Sequence, residues 1–179
     1  MNEIRPPFAD FPQALPCLTL WPEWAYAVKY YGKPVENRSW PFPKHLAGGW
    51  LGIHAGKKIG GAVMNERDGI ECMLMTAQHA GYHFADKKGL IRTVMDLVKA
   101  ESSRLVAVVR LASAKPPEFR DGVMRGWRDL SQWGWEFSEV ASLKEPLPMS
   151  GKQGIFCLTP EMTARVLASL SSPEHRVNP

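Results

Sequence analysis

Two cations and a carboxylate lie within six residues in the segment KPVENR, residues 33–38. Side chains two apart on a strand share one face, so a strand here would place Glu36 and Arg38 side by side. If Lys33 and Glu36 met in a cleft, they could hold a phosphate and a base edge. They could also transfer protons if burial disfavoured the charged lysine. The alternative is a solvated surface ion pair, worth ~0–1 kcal/mol.

A histidine and a lysine stand at the end of a second strand-like segment, WLGIHAGK, residues 50–57. Exposed amides at such a strand end can bind an anion together with Lys57, and His54 can act as an acid or a base. A hydrogen-bonded core histidine is the alternative. The segment GKQG, residues 151–154, is a glycine-flanked loop that carries Lys152. It lacks the following helix of a nucleotide P-loop, and its alternative is a plain turn.

The sequence predicts no metal and no cofactor. His79 and His83 have the i, i+4 spacing of two zinc ligands on one helix face. However, no glutamate follows His79, Gly81 interrupts the helix, and no third ligand is evident. The chain also lacks the motifs GxSxG, GxxxxGK(S/T), HExxH and GxGxxG, which argues against the enzyme classes that use them.

Seven tryptophans are many for a chain of 179 residues. Aromatic side chains beside cations are typical of surfaces that bind single-stranded nucleic acid, where stacking contributes ~1–3 kcal/mol per base. Trp21 and Trp24 precede the KPVENR segment and could stack on a base there. Because most tryptophans pack in or around a core, we expect at most one or two of the seven to be exposed.

Composition and charge narrow the classes of function. The chain has 22 Lys and Arg against 18 Asp and Glu, a net charge of +4 that suits an anionic partner without demonstrating one. No apolar run approaches the ~20 residues that span a bilayer, and no apolar leader opens the chain. We therefore expect no membrane partner and a cytoplasmic location. Cys17, Cys72 and Cys157 form no CxxC pair, which indicates a reducing compartment and buried thiols.

Hydrophobic patterning predicts an α+β chain with a small sheet or barrel. Strands are predicted at residues 14–20, 35–40 (exposed), 50–54, 105–111, 135–143 and 154–158. Helices are predicted from Pro22 to about 31, and at about 61–81, 88–99 and 159–170. The helical stretch from about 59 to 100 has the character of an insertion between strands. The expected organisation is an extended lead-in at 1–14, a domain at 15–158, and a C-terminal helix and polar tail at 159–179.

Taken in order, these segments resemble the ASCH domain family (activating signal cointegrator homology), a relative of the PUA fold. The family signature GxKxxExR matches at Lys33, Glu36 and Arg38, and Trp40 follows as in the ENRSW form of close relatives. Other stretches resemble further family segments in the expected order: 18–25, 53–57, 104–111 and 133–156. The resemblance covers roughly residues 15–158. It implies a PUA-like small β-barrel with surrounding helices and a helical insertion.

Three features depart from the family pattern. Tyr31 stands where the signature glycine is expected, and Gly32 comes one residue later. The opening is Trp21-Pro22-Glu23-Trp24 where the family typically has Arg-Gln-Pro-Trp, so an aromatic replaces a cation and an acid is added. In members that deacylate N4-acetylcytidine, the signature lysine acts with a threonine three residues on and a distant glutamate. Glu36 occupies that threonine position here.

The resemblance implies binding of RNA, single-stranded nucleic acid or a modified nucleoside in a cleft beside the signature. The candidate ligand-binding residues are Trp21, Trp24, Lys33, Glu36, Asn37, Arg38, His54, Lys57 and Lys152. In this set the lysines would contact phosphate, Glu36 and Asn37 would read a base edge, and a tryptophan would stack.

Two other functions stay open. The first is a small hydrolase, either an amidohydrolase on N4-acylcytidine or a ribonuclease, in which Lys33 acts with Glu36 and His54. The second is a protein-interaction module that docks a partner through the helical insertion and the proline-rich N-terminal segment. The methionines of the insertion would suit an adaptable apolar surface.

Overall fold

The computed structural model describes residues 8–61, 64–119, 126–172 and 174–175. Within these ranges the protein is mixed α+β, with six strands in a curled half-barrel sheet, a seventh short strand and four α-helices. The strands are β1 (Pro16–Leu20), β2 (Val35–Arg38), β3 (Trp50–Ala55), β4 (Arg104–Lys115), β5 (Trp133–Pro148), β6 (Ile155–Cys157) and β7 (Glu174–His175). The helices are α1 (Pro22–Tyr30), α2 (Glu66–His79), α3 (Lys87–Glu101) and α4 (Pro160–Ser169), and a 3-10 turn spans Lys44–Leu46.

The sheet has the strand order β2-β5-β4-β3-β1-β6. Strands β1 and β3 are parallel, and the other neighbours in this order are antiparallel. The two-residue strand β7 pairs with β5 on the edge that β2 also uses. Among the described strands this path runs from β2 to β6 without closing, so both ends of the sheet keep an edge.

Strong local signals predicted most of these elements. Pro22 occupies the first turn of α1, and Gly32 takes a φ of +62° just after that helix, a conformation that glycine adopts without strain. The Thr159 side chain accepts a hydrogen bond from the backbone N–H of Met162 and caps α4 as predicted. The β-branched run at 105–111 lies inside β4.

Tertiary contacts changed several boundaries. Strands β4 and β5 are longer than predicted because they pair with each other along most of their lengths. The predicted polar tail contributes the short strand β7. Strand β2 was expected to be exposed, yet Val35 and Glu36 are buried beneath neighbouring elements. Helix α2 begins only at Glu66, where the Asn65 side chain accepts a hydrogen bond from the backbone N–H of Asp68.

Apolar residues cluster on both faces of the sheet and among the helices. One cluster lies between α1 and the sheet and includes Val28, Leu51 and Trp135. A second joins α1 with α2 and α3, the two helices that lie between β3 and β4 in the chain. A third includes Leu15, Trp50 and Val166 of α4. Helix α1 therefore packs both on the sheet and on the α2–α3 pair.

The N-terminal lead-in is anchored to the sheet from residue 8 onward. Phe8 and Phe11 pack on the ring of Trp50. Asp10 forms an ion pair with Arg110 at 2.7 Å, and hydrogen bonds from that guanidinium hold the pKa of Asp10 well below its usual range. Within the described ranges, no helix has both the length and the apolar character needed to cross a membrane.

The cysteines do not share one environment. Cys17 is buried, and desolvation raises the pKa of its thiol to about 12. Cys72 is half-buried and Cys157 is exposed. The prediction of buried thiols is therefore correct only for Cys17, because Cys157 lies on the edge strand β6, where its side chain reaches solvent.

Candidate functional site

The turn between α1 and β2 positions the signature lysine. Helix α1 ends at Tyr30, and the backbone N–H groups of Tyr31 and Lys33 both donate to the carbonyl of Ala27. Gly32 lies between them in the left-handed conformation. Gly32 thus stands one position later than the glycine of the signature that the sequence resembles, and Lys33 lines a cleft together with Glu36.

The side chains of Lys33, Glu36 and Arg38 form an ionic group, in which Lys33 and Glu36 are buried and Arg38 is partly exposed. The Lys33 ammonium donates to Glu36 Oε2 at 2.8 Å and to the carbonyl of Val35. Arg38 Nε lies 3.1 Å from Glu36 Oε1, although the angle is unsuitable for a hydrogen bond, and Arg38 Nη2 donates to the carbonyl of Thr19 at 3.0 Å. The side chains of Lys33 and Glu36 are only 3% and 11% exposed, so this is not a solvated surface pair.

The side chain of Asn37 is occupied by a loop from a distant part of the chain. Its amide nitrogen donates to the carbonyl of Trp127 at 2.8 Å, and its amide oxygen accepts from the backbone N–H of Asp129 at 3.0 Å. Arg128 braces the same loop by donating to the carbonyls of Pro116 and Gln132, among others. Asn37 therefore holds a wall of the cleft, whereas the sequence had suggested that it reads a base.

These residues line the first cleft, which has a volume of about 540 Å³. Its walls come from the start of α1, from β2 and the residues after it, from α2 and from the loop at 126–132. Six of the candidate residues line this cleft: Trp21, Trp24, Lys33, Glu36, Asn37 and Arg38. The sequence analysis missed residues 126–132 because they carry no motif. They reach the cleft by bonding to Asn37, which lies about ninety residues earlier in the chain.

A second cleft of about 720 Å³ adjoins the first. Its lining includes three exposed lysines, Lys57, Lys58 and Lys152, together with the loop at 150–154. Thr19, Leu20, Trp21 and Arg38 line both clefts. The second cleft thus contains the candidates His54, Lys57 and Lys152. The common wall connects this cleft to the first one. The sequence analysis did not select Lys58, although its position directly after Lys57 marked it as a further candidate for the same cleft.

His54 and Thr19 both line the second cleft, and they are direct neighbours across the parallel pair β1–β3. We call these two residues the floor of the second cleft. His54 Nε2 lies 3.0 Å from the carbonyl of Met149, and a carbonyl only accepts, so Nε2 carries the hydrogen and Nδ1 keeps a lone pair. His54 Nδ1 and Thr19 Oγ1 are both buried without a partner among the described residues. Burial also lowers the pKa of His54, which favours the neutral ring.

Gly151 covers this floor from the loop above. A Cβ at Gly151 would lie 2.5 Å from His54 Nδ1 and 2.6 Å from Thr19 Oγ1. Only glycine therefore allows the loop to approach these two side chains so closely.

Trp21 stands on the wall between the clefts. All seven tryptophans lie in the described ranges, and Trp21 is the exposed one, with 42% of its surface accessible. This confirms the prediction that at most one or two would be exposed. Its ring lies against Gly61, where a Cβ would come within 2.3 Å of it. The acid added two residues later, Glu23, does not line either cleft and is completely buried.

The three residues predicted for catalysis are not brought into one cleft. Lys33 and Glu36 line the first cleft and bond to each other, whereas His54 lines the second. His79 is the last residue of α2, and Gly81 follows at a φ of +103°, so His79 and His83 do not share a helix face. In the part of the chain that the structure describes, no group of three or more His, Cys, Asp or Glu side chains could hold a metal ion.

No protein-family model and no curated protein matches this chain.

Proposed function

We propose that this protein is a PUA-like member of the ASCH family and that it binds RNA, single-stranded nucleic acid or a modified nucleoside in the first cleft. The family assignment rests on the ordered sequence segments, and the curled α+β sheet is compatible with an open PUA-like barrel. The binding role rests on the cleft beside Lys33, Glu36 and Arg38.

One observation carries this proposal. The nine residues selected from the sequence as ligand-binding all line two clefts that share a wall, and the exposed tryptophan stands on that wall. An exposed indole beside cations is suited to stacking on a base, because every base presents a π-face. A large apolar side chain that stays accessible next to a cleft is also more typical of a binding surface than of a core.

The buried ionic group gives the first cleft a fixed polar wall. Each carboxylate oxygen of Glu36 faces a cation, Lys33 on one side and Arg38 on the other. Arg38 is further fixed by its bond to the carbonyl of Thr19. A ligand would therefore meet polar groups that are already oriented, and it would lose little free energy in ordering them.

Removal of the Trp21 ring tests the binding role. We expect Trp21→Ala to weaken binding of a labelled single-stranded oligonucleotide by about fivefold to a hundredfold, since stacking contributes ~1–3 kcal/mol per base. Fluorescence anisotropy at fixed salt measures the affinity. Phe119→Ala is the matched control, because Phe119 is 40% exposed and lines neither cleft. Equal losses in the two variants, or no binding by the wild type to oligonucleotides and nucleosides, would refute the proposal.

A hydrolase is the second candidate, and the geometry of His54 favours it. Lys33 and Glu36 already bond to each other, whereas His54 Nδ1 carries a buried, unpartnered lone pair on the floor of a cleft. A neutral imidazole in this state can accept a proton from water or from a ribose hydroxyl. In this function His54 would act as the base in the second cleft, and Lys33 and Glu36 would bind another part of the substrate in the adjoining first cleft.

Turnover of N4-acetylcytidine and of a short RNA, followed by mass spectrometry, tests this candidate. Because burial lowers the pKa of His54, activity should rise with pH through a value below 6.5 and then level off. His54→Gln should remove this activity, and His45→Gln, an exposed histidine in the 3-10 turn, should leave it unchanged. Full turnover by His54→Gln would exclude His54 as the base.

A further inference from the structure

The second cleft is electrically unbalanced. Its described lining contains Lys57, Lys58 and Lys152, shares Arg38 with the first cleft, and includes no aspartate or glutamate. None of the three lysines forms an ion pair with a described residue, whereas Lys29 and Lys33 each bond to a glutamate. Cations that converge on a cleft without acidic partners attract an anion, and a recessed surface strengthens that attraction.

The loop above this cleft offers unused hydrogen-bond donors. Residues 150–154 have the sequence Ser-Gly-Lys-Gln-Gly and are exposed. None of their backbone N–H groups donates to a group within the described ranges. The Gly154 φ of +71° bends the loop, and successive free amides in such a bent loop are a common anion-binding arrangement.

Beneath this loop, His54 Nδ1 and Thr19 Oγ1 are buried without a partner among the described residues. Gly151 covers both atoms, so a ligand in this cleft meets the loop and the lysines rather than these two atoms. The groups that the cleft offers to a ligand are therefore the loop amides and the three lysines.

The position of this cleft connects it to the proposed base site. Trp21 and Arg38 line both clefts. A base stacked on the Trp21 ring would therefore lie between the two clefts, and its attached sugar would have access to either of them. We infer that the second cleft is a phosphate subsite, and that the ligand is a phosphorylated nucleoside, either free or within a strand. This inference rests on the proposed function of the first cleft.

Paired lysine variants test the subsite. Isothermal titration calorimetry of the wild type should show the common ribonucleoside monophosphates binding about tenfold more tightly than the same ribonucleosides, because charge-assisted hydrogen bonds add to the affinity. Lys57→Gln/Lys152→Gln should reduce this advantage to about twofold or less and leave nucleoside affinity unchanged. Lys44→Gln/Lys144→Gln removes the same charge from exposed positions outside both clefts and should keep the advantage.

A uridine oligonucleotide distinguishes the two sources of phosphate. If the subsite takes an internucleotide phosphate, the oligonucleotide binds more tightly than the monophosphates. The slope of log affinity against log salt then falls by about 0.7 for each lysine removed. If it takes a terminal phosphate, the monophosphates bind at least as tightly. Both results support a phosphate subsite.

Two results would overturn the inference without touching the proposed function. Nucleosides and monophosphates could bind the wild type equally well, or both lysine pairs could weaken binding to the same extent. Failure of the wild type to bind nucleosides, monophosphates and the oligonucleotide alike would instead remove the proposed function and the subsite together.

Discussion

Replacing Glu36 with glutamine is expected to lower the free energy of unfolding by about 3 kcal/mol. Glu36 supplies the negative charge between Lys33 and Arg38, and the Lys33 side chain is only 3% exposed. Without that charge, the buried ammonium keeps the Val35 carbonyl as its hydrogen-bond partner but has no counter-ion. The cost of leaving a desolvated cation unpaired exceeds the modest value of the pair itself. Urea denaturation followed by tryptophan fluorescence measures the change.

Glu71→Gln is the control for this prediction. Glu71 pairs with Arg67 four residues earlier on the exposed surface of α2, at 2.9 Å, so its loss should change stability by no more than about 0.5 kcal/mol. Lys33→Met should cost less than Glu36→Gln, about 1–2 kcal/mol, because Glu36 keeps Arg38 as a counter-ion. Similar costs for Glu36→Gln and Glu71→Gln would show that the buried group is solvated in solution.

The second large effect concerns Glu23, which is completely buried in the first turn of α1. Its Oε1 accepts the backbone N–H of Gly60 at 3.1 Å, and its Oε2 has no partner among the described residues. Glu23→Ala should therefore cost about 2–4 kcal/mol, since it leaves a cavity and a buried, unsatisfied Gly60 amide. The same denaturation experiment measures this loss. A cost below about 1 kcal/mol would contradict the buried position of Glu23.

Glu23→Gln isolates the effect of charge from the effect of packing. Burial raises the pKa of Glu23, so the folded state holds its proton more tightly than the unfolded chain does. The stability from this group is complete below the unfolded pKa of about 4.5 and is lost as pH rises through the higher folded-state pKa. Glutamine cannot ionise, so Glu23→Gln should match the wild type near pH 4 and become progressively more stable than the wild type as the pH rises to 8.

Denaturation curves recorded across this pH range test the sign. The exposed Glu145→Gln serves as the control and should show no growing difference from the wild type. A Glu23→Gln variant that loses stability relative to the wild type as pH rises would mean that the carboxylate is favoured in the folded state, contrary to its burial.

The fold was predictable where local physics dominates. The N-terminal proline of α1, the threonine cap of α4 and the β-branched run in β4 each act within a few residues. The candidate site was predictable as a set of residue types, because Lys33, Glu36 and Arg38 lie close in the chain and their spacing on a strand brings the last two together. The family resemblance added the order of these segments and remains a prediction.

Other features depended on contacts that no local pattern contains. The residues next to Asn37 in the chain gave no sign that its side chain bonds to the loop at 127–129, because that loop lies about ninety residues further on. Glu23 has the sequence position of a surface acid in a first helical turn, and only the packing of α2 and the Gly60 segment over α1 buries it. The burial of β2 likewise depended on distant elements, because Val35 packs in the cluster that joins α1, α2 and α3.

The amino-acid sequence by itself determined which chemical groups are present, the short-range order that brings Lys33 to Glu36, and the ends of the best-capped helices. Only the tertiary structure decided that Thr19 and His54 are neighbours, that Gly151 covers them, and that two clefts share Trp21. The physical reason is range. Capping and side-chain alternation act over a few residues, whereas strand pairing and loop closure are settled by the burial of the whole core.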